Sequence, residues 1–162
     1  MTIVSDAASL GSLALIDYLW LLEAIYGTVV VSEVVAQELS MAKNARIQAV
    51  LSASWVKVQR PTEGAIATIQ QQGQQLDLGD THTLALALQL NADELLINER
   101  RGRQVAQALE LSTIGIVGIV IVAKQRALIP SVRRVMDTLV ELAGFRISHQ
   151  LYQKILKFVD EI

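Results

Sequence analysis

Four carboxylates stand where an alternating strand–helix topology could bring them together: Asp6 and Glu99 after strands, Asp80 at a helix start and Glu38 on a helix. Hard divalent cations such as Mg²⁺ take oxygen ligands and keep several waters, using one or two carboxylates directly. A cluster of three or four acids can hold one or two such ions, which activate water and stabilise charge during phosphodiester cleavage. Each acid also has a plainer reading. Asp6 suits an N-cap, and Glu38 an ordinary solvated helix face. Asp80 is favoured near a helix start by the macrodipole, and Glu99 can pair with Arg103 one turn on. Spacing alone leaves both sets of readings open.

The basic side chains add a second strand of argument. Arg100, Arg101 and Arg103 follow Glu99 directly, at a helix start where the dipole disfavours positive charge. A guanidinium binds phosphate through two parallel hydrogen bonds, so these three are candidate nucleic-acid contacts. Such contacts position a strand without reading its sequence. The competing reading is internal pairing with Glu38, Asp80 or Glu99. Residues 1–99 carry 11 acids and 4 Lys or Arg, and residues 100–162 carry 5 and 10, so the net charge runs from −7 to +5. That asymmetry suits a metal centre beside a polyanion, and equally an unevenly charged surface. His82 and His149 are isolated and fit no zinc motif.

These residues need elements to carry them. Leu95-Leu96-Ile97 reads as the end of a buried strand that runs into Asn98-Glu99. In an open α/β sheet, ligands gather beyond the carboxyl ends of the strands. Further strands are expected at Thr2–Ser5, Thr28–Val31, Trp55–Val58 and Ser112–Ile114. Helices are expected after Asp6, over Tyr18–Tyr26, from Ser32, over Asn44–Ser52, from Pro61-Thr62 and over Thr81–Leu90. Others follow over Arg101–Glu110 and Val117–Arg126, from Pro130 to Gly144, and over Ser148–Asp160. Gln70–Gln75 reads as a loop.

The alternation implies an α/β fold of three layers, with a parallel sheet of about four or five strands and helices on both faces. A composition 52% hydrophobic but only 4% aromatic agrees with an aliphatic core of that kind. The length fits one domain, 1–162. Absence of cysteine excludes a disulfide frame and thiolate metal sites. The longest apolar run, Ile114–Ala123, is short of a membrane span of about 20 residues. With no visible signal peptide, a cytoplasmic protein without a membrane partner is expected. Leu151, Ile155, Leu156 and Val159 suit a last helix packed on the core or on a second copy, so a homodimer is a candidate assembly.

Val4-Ser5-Asp6 with Ser9-Leu10, then Glu38-Leu39, then Leu78-Gly79-Asp80 before an Ala/Leu helix, and finally Leu95–Arg103 resemble the PIN-domain superfamily. Within it the chain is similar to the PIN-like group DUF3368, whose tail Ala123-Lys124-Gln125-Arg126 with Leu128-Ile129-Pro130 also matches. The resemblance implies a PIN fold and a Mg²⁺- or Mn²⁺-dependent ribonuclease, often the toxin of a toxin–antitoxin pair. It would place Asp6, Asp80 and Glu99 on the ion, with Glu38 as a further ligand or as orienter of the attacking water. Single-stranded RNA is then the expected substrate, and an antitoxin protein a possible partner.

Two positions depart from the pattern. Ala8 stands where the family usually has a hydroxyl residue, and Asn98-Glu99 where relatives usually have at least one Asp. These departures motivate a second reading, a catalytically weak or inert PIN-like module that binds nucleic acid or protein. A small-molecule phosphohydrolase or phospho-receiver is disfavoured, because no Asp-x-Asp follows the first strand and no Gly-rich phosphate loop is present.

Overall fold

Short aliphatic runs form five strands, β1 (Ile3–Ser5), β2 (Val29–Ser32), β3 (Val56–Gln59), β4 (Glu94–Leu96) and β5 (Thr113–Ile114). In the computed structural model, which describes residues 1–72 and 75–162, they make one sheet in the order β3-β2-β1-β4-β5. Every pairing is parallel. Such sheets are buried on both faces, and the strand residues divide accordingly. Ile3, Val29, Val31 and Leu96 join one apolar cluster, while Val4 and Leu95 join the other. The expected Gln70–Gln75 loop falls in part on Gly73 and Gln74, which lie outside the described residues.

The connecting helices are α1 (Ala7–Leu15), α2 (Trp20–Tyr26), α3 (Glu33–Ser40), α4 (Ala45–Gln48), α5 (Glu63–Gln70), α6 (Leu78–Leu90), α7 (Arg100–Ala108), α8 (Ile116–Gln125), α9 (Val132–Ala143) and α10 (His149–Phe158). Apolar residues of α5, α6 and α7 cover one face of the sheet. Those of α1, α2, α3, α8, α9 and α10 cover the other. The expected three-layer α/β/α fold is therefore present. The chain steps outward from β1 to β3, then crosses back to set β4 on the opposite side of β1. That reversal makes a crevice between β1 and β4 at their carboxyl ends.

Helix starts follow from local hydrogen-bonding chemistry. Asp6, Ser32, Thr62 and Ser148 each accept a backbone N–H of the first turn that follows. Gly144 ends α9 with φ 65°, a left-handed conformation that glycine adopts without penalty. Some boundaries differ from expectation. Pro130 does not begin α9: Ser131 caps it by accepting the Arg134 N–H, and the helix starts at Val132. The second helix starts at Trp20 rather than Tyr18, after Asp17 turns the chain at φ 63°.

The C-terminal end is latched to the body through one carboxylate. Glu161 accepts the backbone N–H groups of Val132 at 2.6 Å and Arg133 at 3.0 Å, the Ser131 hydroxyl at 2.8 Å, and the Lys124 ammonium at 2.8 Å. Burial alone would raise its pKa, but these donors overcome it and hold the carboxyl at about 2. In α10, Ile155 and Leu156 are buried in the core while Leu151 stays exposed. Among the described residues, no single helix is long and apolar enough to cross a membrane.

Candidate active site

The sheet reversal decides where the acids meet. Asp6 is the first residue beyond β1, and its backbone N–H donates to the Leu96 carbonyl of β4 at 3.0 Å. Its side chain then spans the crevice. One carboxylate oxygen accepts the Ser9 N–H and the other accepts the Asn98 N–H, each at 2.8 Å. Asp6 is thus both the cap of α1 and a tie between the two central strands. The plain reading of Asp6 as a helix cap therefore holds.

Around it lies a pocket of about 210 Å³ lined by Asp6, Ala7, Ala8, Val35, Glu38, Asp77, Gly79, Asp80, Asn98 and Glu99. Glu38 comes from α3, packed so that its Oε1 lies against Gly79 of α6, where any Cβ would collide with it. Asp80 stands in the first turn of α6, and Glu99 caps α7 by accepting the Arg101 N–H at 3.3 Å. All four acids singled out from the sequence therefore border one pocket. Glu99 forms no ion pair with Arg103.

A fifth carboxylate, Asp77, also borders the pocket and was missed in the sequence. It is the true cap of α6, accepting the Asp80 N–H at 2.7 Å. The signal was there: Asp is a favoured cap, and an acid three places on suits the first turn of a helix. Reading the helix from Thr81 hid that spacing, because α6 begins at Leu78.

Crowding shows in the protonation equilibria. Burial pushes the Asp80 carboxyl up to about 7, and the charges of Asp77, Asp6, Glu99 and Glu38 add to it. Glu38 is raised by burial and by Asp77 and Asp6. Asp6 is raised mainly by burial, against the opposing effect of Ser9 and of the Asn98 N–H. The Ser9 hydroxyl is fully buried and makes no hydrogen bond as it stands, yet it lies within electrostatic reach of Asp6.

The arginines do not neutralise this charge. Among the described residues the one ion pair joins Lys124 and Glu161, far from the pocket in sequence and in partners. Arg100, Arg101 and Arg103 are all exposed, and Arg101 donates to the Gln75 carbonyl at 3.3 Å. Internal pairing with Glu38, Asp80 or Glu99, the competing expectation, is absent. His82 lies on α6, where burial and, to a lesser extent, the charge of Arg60 lower its pKa, and it does not border the pocket.

The donor set can be tested against a hard cation. It is all oxygen, anionic and short of positive partners, which fits Mg²⁺ or Mn²⁺ and not a soft metal. As they stand, no three of the described acids are drawn closely enough together to ligate one ion. A family model described as “DUF3368: PIN domain” matches residues 2–161. A search of curated proteins found no match.

Proposed function

The chain belongs to the PIN-domain family DUF3368, whose domains are typically nucleases, and from that premise we propose a divalent-metal-dependent ribonuclease that cuts single-stranded RNA at the acidic pocket. The observation that carries this reading is the gathering of Asp6, Glu38, Asp77, Asp80 and Glu99 around one small pocket at the sheet reversal. Asp6, Asp80 and Glu99 would hold the ion. When bound, such an ion supplies stabilisation of the charge that builds on the phosphodiester and activates the attacking water.

The chain's own residues do the rest. Asp6 is held in place by two backbone N–H groups, which fix its carboxylate against the crevice. Glu38, with its raised pKa, is suited to orient a water and take its proton at Oε1 or Oε2. Asp77 sustains the negative field that draws a cation in. A toxin role, with an antitoxin protein covering the pocket, is part of the same proposal and is supported by the family resemblance.

Two measurements test it together: calorimetric titration with Mn²⁺, and a gel assay of a labelled single-stranded RNA with Mn²⁺, Mg²⁺ or EDTA. Saturable Mn²⁺ binding with cleavage that EDTA stops is the expected result. The spread of the carboxylates and Ala8 favour the alternative of an inert binding module. Absence of both Mn²⁺ binding and cleavage would decide for that module.

The contact between Glu38 and Gly79 gives a sharper check. Ala at a helical Gly position ordinarily stabilises by about 0.5–1 kcal/mol. In Gly79→Ala the new methyl must displace the Glu38 carboxylate, a flexible group that can yield. Unchanged or higher thermal stability with cleavage reduced roughly tenfold, as for other disturbed site neighbours, is expected from melting curves and initial rates. Full activity would remove Glu38 from the reaction.

A further inference from the structure

Next to the acidic pocket lies a larger cavity of about 500 Å³, and Asn98 borders both. Its character is opposite. No acid lines it, whereas Arg103 of α7 and Arg146 of the α9–α10 connection both do, beside Phe145. Both arginines are exposed, and among the described residues neither has a carboxylate within ion-pair distance. Phe145 is half-buried, one of only two phenylalanines in the chain. The first turn of α8, capped by Gly115 without a side-chain partner, opens onto the same space through Ile116 and Val117.

A polyanion cannot be drawn to five carboxylates by charge; attraction must come from beside them. From the juxtaposition of Arg103, Arg146 and Phe145 across Asn98 from the acids, we infer that this cavity seats the nucleotide flanking the acidic pocket in a single-stranded polynucleotide. The two guanidinium groups clamp its phosphate, with the backbone N–H groups of α8 adding positive potential. Phe145 supplies the face on which its base stacks. Stacking of that kind needs a base already splayed from its neighbours, which a duplex does not offer. This assignment rests on the nuclease reading for its orientation, but the binding it predicts is separable from cleavage.

The test is fluorescence anisotropy of a short labelled single-stranded RNA in EDTA, over a series of salt concentrations, with the whole chain. Each phosphate contact on a single strand contributes a slope of about 0.7 in log affinity against log salt. Because both arginines grip one phosphate, Arg103→Gln with Arg146→Gln is expected to flatten the slope by about 0.7. Phe145→Leu keeps an apolar filler but loses the ring, and is expected to weaken binding roughly tenfold with the slope unchanged. Unaltered slope and affinity in both variants overturn the inference, as does equal affinity for a duplex of the same sequence. Cleavage by the native chain in Mn²⁺ is scored separately. Cleavage with unaltered variant binding sinks the cavity and leaves the nuclease; variant-dependent binding without cleavage does the reverse.

Discussion

Asp80→Asn is expected to abolish metal-dependent cleavage while making the metal-free protein more stable. The two effects have one cause. Asp80 sits half-buried among four other carboxylates, and its pKa is pushed up to about 7 from the ordinary 3.8. Because the folded value lies above the unfolded one, the native state holds the proton more tightly. Its contribution to stability is whole below about pH 3.8 and is lost as pH rises through about 7. Metal-free protein should therefore weaken over that interval, and the Asn variant should weaken less. After allowance for water screening a half-exposed group, the gain above that range is about 1–2 kcal/mol, or roughly 2–8 °C in melting temperature. For activity, the loss of an outer neighbour of a metal already costs about 10–100-fold, so loss of a direct ligand should cost at least about a hundredfold. Melting curves in EDTA across pH and initial rates in Mn²⁺ check the two halves. Retained cleavage would move the reaction away from this pocket.

The second large effect is expected at Asp6, where the sign of the stability change reverses. Asp6→Ala removes the acceptor for the Ser9 and Asn98 N–H groups at once. A buried donor left without a partner costs about 1–3 kcal/mol; the Ser9 N–H is buried and the Asn98 N–H only partly so, and a loss of about 2–4 kcal/mol together is expected. Asp6→Asn keeps one acceptor oxygen and should cost about half as much while still losing cleavage. Denaturant unfolding of both variants, with amide exchange at Asn98, measures this directly. A stability loss at Asp6 set against a gain at Asp80 separates the strut from the repelling charge. Equal behaviour of the two variants would contradict that division.

Much of this arrangement could be read in the chain beforehand, for identifiable reasons. Strand runs such as Val29–Ser32 and capping residues such as Thr62 and Ser148 act through neighbours in sequence, so local chemistry located them. That Asp6 and Glu99 would border one site followed from the rule that ligands gather beyond the strand ends of an open sheet, whereas the tie from Asp6 to the Asn98 N–H needed the strand order. Asp77 is legible as a cap only when α6 begins at Leu78, three residues ahead of the expected Thr81. Other features had no local signal. That Arg103 would share a cavity with Arg146 depends on how α9 and α10 pack beyond α8. That Ser9 would bury an unpaired hydroxyl beside Asp6 depends on the core around α1. Neither follows from spacing.

The pairing of β1 with β4, with Ser5 opposite Leu96 in register, sets an order of events during synthesis. The amino-terminal acids leave the ribosome long before the strand that must lie beside them, and parallel pairing over so long a loop is intrinsically slow. Until α7 has emerged, Asp6 has no Asn98 amide to bind and Glu99 has no place. A nascent chain accordingly has no complete acidic pocket until β4 and α7 have emerged, well after the residues of β1.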